Sequence, residues 1–153
     1  MTAERYVVNG LPLPAPLVAL IEACRWRKPS DVGPLRALTG LHDADDLLFC
    51  DVASMQRNTE QMIDELERGN PTLFGLASGR RSAAPVTDRS LLDVDLCVLI
   101  ACTAGDGIVC LDYRQQPERP AVVVSEWGAR PNGGVAWREI AADIEQLAAR
   151  VGL

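Results

Sequence analysis

The sequence predicts an α+β domain: helices first, an antiparallel or mixed sheet from the second half, and an amphipathic C-terminal helix packed on that sheet. Three observations lead there. Apolar residues recur at helical spacing in the first 68 residues, β-type runs crowd between residues 96 and 125, and residues 137–151 carry one apolar stripe. A chain of 153 residues has the length of one ordinary domain, so residues 1–153 are read as a single unit.

Residues 6–13 (YVVNGLPL) read as an extended lead-in broken at Asn9-Gly10. Pro14 and Pro16 suit the first turn of a helix, where a fixed φ and a missing N–H do no harm. Leu17, Leu20, Ile21 and Cys24 then follow at i, i+3, i+4 and i+7. Asp31 is placed to cap a short turn carrying Leu35 and Leu38, and Gly40 to end it. A second helix is expected over 54–68, with Met55, Thr59, Met62 and Leu66 on one face and Gly69-Asn70-Pro71 as its stop. Residues 75–90 mix Gly, Ser, Pro and paired arginines without a period, and are expected to form a mobile surface loop.

The back half changes character. Runs 96–102 and Ile108–Asp112 read as strands joined by Thr103-Ala104-Gly105-Asp106-Gly107, a glycine-containing hairpin loop, and 121–125 as a third strand. Both alternating sets are apolar, Leu96, Val98 and Ile100 against Cys97, Leu99 and Ala101, which predicts a sheet covered on both faces. Trp137, Ile140, Ala141, Ile144, Leu147, Ala148 and Val151 fall at helical spacing, with Arg138, Glu139, Glu145 and Arg150 on the wet side. They predict one long closing helix.

Composition narrows the function. Lys and Arg number 15 against 21 Asp and Glu, a net charge of −6, and the 48% apolar content is that of a globular protein. A mildly acidic chain is poorly suited to phosphate backbones, so no direct nucleic-acid contact is expected. The basic residues are dispersed apart from Arg25-Trp26-Arg27-Lys28 and Arg80-Arg81. No basic stretch followed by an apolar run opens the chain, and no apolar run approaches the ~20 residues of a membrane span. A cytoplasmic home is expected. The cysteines, Cys24, Cys50, Cys97, Cys102 and Cys110, are odd in number and form no CxxC pair, so they are read as reduced, buried and inert.

Candidate chemistry is thin. His42 is the single histidine, so a Cys or Ser hydrolase would have to run through it, with Cys50 the nearest thiol in sequence. A solvated loop histidine is the simpler reading. One histidine and scattered thiols give no zinc spacing, and no metal is expected. Gly105-Asp106-Gly107 lies between strands, whereas phosphate-cradling glycines open a helix, so no cofactor is expected either.

Asp43, Asp45 and Asp46 form either a solvated turn or an acidic spot for a basic partner. Asp112 and Arg114, two apart on a strand, share a face with Tyr113 on the other. They either pin the strand end to a loop or join a partner surface. Trp127, between Glu126 and Gly128, is a lid on the core or an exposed anchor, while Trp26 and Trp137 read as core.

The segment from Asp93 onward, DVDLCVLI…GDGIVCLDYR…PAVVVSEWG…WREIAADIEQLAARVGL, resembles the SUKH superfamily, named for the yeast Smi and Knr cell-wall regulators and widespread in bacteria. The signature positions are Asp112, Tyr113 and Arg114 at the strand end and Trp137 opening the final segment. Ile144 stands where phenylalanine is common, and the glycine- and aromatic-rich lead-in of many members is not evident. The resemblance implies a non-enzymatic α+β domain of the bacterial toxin-immunity type, which neutralises a cognate toxin, often a basic nuclease. A cytoplasmic regulatory or scaffolding module with an endogenous protein partner is the alternative. Asp43, Asp45, Asp46, Asp106, Glu126 and Trp127 are the expected partner-binding residues; the oligomeric state stays open.

Overall fold

The lead-in folds back on itself because Asn9 and Gly10 both take positive φ (55° and 72°), the backbone that a tight two-residue hairpin turn needs. Strand β1 (Val7–Val8) pairs antiparallel with β2 (Leu11–Pro12). The computed structural model describes residues 3–68, 86, 88–105, 107–128 and 134–153. The expected stop at Gly69-Asn70-Pro71, the side chain of Leu66, Arg80-Arg81, Asp106 and most of the 75–90 loop lie outside the described residues.

Helix α1 (Ala15–Glu22) buries Leu17 and Leu20, and α2 (Gly33–Thr39) buries Leu35 and ends at Gly40 in the left-handed region. The stripe does not extend to Cys24. That residue is exposed with φ 54°, because the Arg25 and Trp26 amides both turn back to the Leu20 carbonyl and close α1. Strand β3 (Leu48–Phe49) was not foreseen. Helix α3 (Val52–Arg68) follows, with Met55, Thr59 and Met62 buried as the spacing predicted.

The main sheet has five antiparallel strands in the order β3-β4-β5-β6-β7, where β4 is Cys97–Cys102, β5 Ile108–Asp112, β6 Ala121–Glu126 and β7 Ala136–Ala141. The final helix, α4 (Ile144–Val151), is half the expected length, since the residues from Trp137 to Ala141 form β7 instead. The reason is a β-bulge opposite Val122 and Val123. It leaves Trp137, Ile140 and Ala141 all buried, so an irregular strand copies the i, i+3, i+4 spacing of a helix.

Register shows which face each helix covers. Val109, Val124 and Arg138 pair in line across β5, β6 and β7, and Arg138 donates to the Thr39 carbonyl at the end of α2. Cys102 pairs with Ile108 on the opposite face, where Asn58 of α3 reaches it. Opposite faces of the sheet thus meet different helices, α3 against β4 on one and the end of α2 beside β7 on the other, as its doubly apolar strands required, and α4 packs on β6 and β7. The architecture is α+β. No described helix is long and apolar enough to cross a membrane.

Candidate partner-binding surface

Antiparallel order brings the end of β4, the start of β5, the end of β6 and the start of β7 to one rim, beside the start of β3. Five of the six expected partner-binding residues gather there from distant parts of the chain. Asp106 falls in the same β4–β5 connection but outside the described residues.

The acidic run is a short 3-10 turn, Ala44–Asp46, whose Ala44 is buried. Asp43 tucks under the β4–β5 loop so closely that a Cβ at Gly105 would sit 2.9 Å from its Oδ2, and its Oδ1 is enclosed with no hydrogen-bond partner among the described residues. Asp45 is exposed, but Arg36 pairs with its carboxylate and Lys28 Nζ donates to its carbonyl. Asp46 is exposed and has no side-chain partner among the described residues. Glu126 pairs with Arg138, whose guanidinium also reaches the α2 carbonyls. The run is therefore not one acidic face: a guanidinium answers Asp45 and another answers Glu126, while Asp46 remains open to solvent.

Two residues beyond Asp46 stands Leu48, 69% exposed on the edge strand β3. Leu47 beside it is buried, and Phe49 turns to the other face to meet Trp26, with ring centroids 4.6 Å apart. Trp26 Nε1 donates to the Cys50 carbonyl, anchoring the α1–α2 connection to the same strand. Trp127 lies half-buried against the core. Leu48 escaped the sequence reading because Leu47-Leu48-Phe49-Cys50 looks like one apolar patch; the two-residue strand is what turns one of the four outward.

Asp112, Tyr113, Arg114 and Trp137 all make contacts that hold the fold together. Arg114 grips Asp112 (Nη2 to Oδ2, 2.8 Å) and donates to the carbonyls of Val86, Asp88 and Leu91. Desolvation lowers the Arg114 pKa, but its hydrogen bond to Asp112 and that carboxylate's charge more than offset it, so the net shift is upward. Tyr113 faces the other way, buried, with its hydroxyl donating to the Pro12 carbonyl at 2.9 Å. Desolvation pushes the Tyr113 phenol up well past its usual range. Trp137 is buried and its amide donates to the Ser90 carbonyl. The strand-end pin anticipated for Asp112 and Arg114 is what the geometry displays.

His42 is exposed and no hydrogen bond joins it to another described side chain. Cys50 turns instead to Asn58 and Cys102. Among the described residues no three His, Cys, Asp or Glu side chains converge as metal ligands. No family model, no curated protein and no solved structure matches this chain.

Proposed function

We propose that this chain is a non-enzymatic, cytoplasmic protein-binding domain of the SUKH toxin-immunity type, docking a basic toxin domain through the rim that carries Asp46 and Leu48. The carrying observation is Leu48, a large apolar side chain standing 69% exposed on an edge strand two residues from an exposed carboxylate. Exposed apolar anchors with a polar surround are what interfaces are built on. Asp46 supplies the sign that suits a cationic partner, and net charge of −6 steers it in.

The test is co-expression with a basic, exported toxin encoded beside this gene. Rescue of viability and co-purification are expected, with Leu48→Asp weakening the complex by at least about tenfold. Failure of both rescue and co-purification overturns the reading. Stable capture of an endogenous cytoplasmic protein in place of the toxin supports the scaffolding alternative instead.

A further inference from the structure

We propose that Cys102 and Cys50 form a reversible oxidation site for small hydroperoxides, Cys102 attacking and Cys50 resolving. The inference is independent of the docking reading. It rests on how the fold sorts five thiols that look alike in sequence.

Cys97 and Cys110 are sealed in the sheet, both at 0% exposure, where no oxidant arrives. Cys24 is exposed on the turn after α1, and no other described thiol contacts it. Cys50 and Cys102 differ from all three. Leu48 pairs with Cys102 and the Cys50 amide donates to the Ile100 carbonyl at 2.9 Å, so the two cysteines are diagonal neighbours across β3 and β4. Asn58 Nδ2 lies 3.6 Å from Cys50 Sγ and 4.0 Å from Cys102 Sγ, so a single amide spans both sulfurs. Cys102 is half-buried at the strand end, whereas Cys50 is buried behind it. One cysteine is partly exposed and a buried one neighbours it under the same amide, the arrangement of an attacking and a resolving cysteine.

The electrostatics agree. The neighbouring Cys50 thiol outweighs burial at Cys102 and brings it down to about 7. The same contact, with burial, drives the Cys50 thiol up. Cys102 thus has thiolate available near neutral pH while Cys50 keeps its proton.

The reaction balances with the peroxide as the only oxidant. The Cys102 thiolate attacks one peroxide oxygen, an S–O bond forms, the O–O bond breaks, and hydroxide or alkoxide leaves. The Cys50 sulfur then attacks Cys102, an S–S bond forms and the S–O bond breaks. The Cys50 proton leaves with the hydroxyl as water. Two electrons pass from the thiols to the peroxide, and an external thiol returns them.

The experiment treats the reduced full-length chain with about one equivalent of hydrogen peroxide near pH 7, then alkylates and maps the peptides. Expected are an intramolecular Cys50–Cys102 link, a loss of two hydrogens per molecule, and reversal by dithiothreitol. Cys102 is expected to react about fivefold faster than an ordinary thiol peptide, its larger thiolate fraction being partly offset by lower intrinsic nucleophilicity. In Cys50→Ser the Cys102 sulfenic acid should persist and be trapped by dimedone. The wild-type map decides the matter alone if that variant does not fold. Oxidation of Cys24 ahead of Cys102, or a Cys102 sulfenic acid that persists in the wild type without linking to Cys50, overturns the proposal.

Discussion

Arg114 holds three backbone carbonyls and one carboxylate at once, with only 11% of its own side chain and 13% of that of Asp112 exposed. Removing one member of a nearly buried pair strands the other, so Arg114→Ala is expected to cost about 3–5 kcal/mol. The loss should show as a lowered urea midpoint. Arg114→Lys keeps the charge but cannot fork to four acceptors, and should recover only part of the loss. This pin was legible in the sequence, because residues two apart on a strand share a face. What it pins was not. The carbonyls of Val86, Asp88 and Leu91 come from a stretch with no periodicity, where spacing carries no information about which atoms approach. The outward turn of Leu48 was likewise invisible, since a run of four apolar residues gives no hint of which one faces water.

The two longer capped helices begin the same way. Asp143 Oδ1 accepts the Gln146 amide at 2.8 Å while the Gln146 side chain accepts the Ala142 amide, a reciprocal cap on α4. Asp51 does the first half of this for α3, accepting from the Ser54 amide at 2.7 Å. The amide bond, aided by Arg119, holds Asp143 below its ordinary 3.8, and the Ser54 amide lowers Asp51 likewise. A depressed carboxyl stabilises the fold above its unfolded pKa, and that contribution fades as pH falls through the lower folded value. Asp143→Ala should therefore cost about 1 kcal/mol at neutral pH. The gap between the two proteins should narrow in acid, as pH falls through the lowered folded pKa of Asp143. Paired denaturation curves at neutral and acid pH check it. At this scale the helices were legible from their period, and the failure is instructive. Ile140 and Ala141 are both interior because β7 bulges, and a bulged strand and a helix place apolar residues alike.

For the molecule as a whole, the fold class followed from the order of apolar patterns, and the covering of both sheet faces from strands apolar on both alternating sets. Pairing of the rim did not, because it depends on which loops meet when five strands line up. Charge is also redistributed by folding: Arg36 and Arg138 answer Asp45 and Glu126, so the −6 of the sequence is not concentrated at the rim. Asp46→Lys should slow association with a basic partner and flatten its dependence on ionic strength, read by stopped-flow at low and high salt. Unchanged rates would remove that carboxylate from the encounter. The brevity of β3 has its own consequence. With two residues on the outer border, a passing strand finds too few free amides and carbonyls to zip onto, so Leu48 can stay bare without inviting fibre growth along that margin.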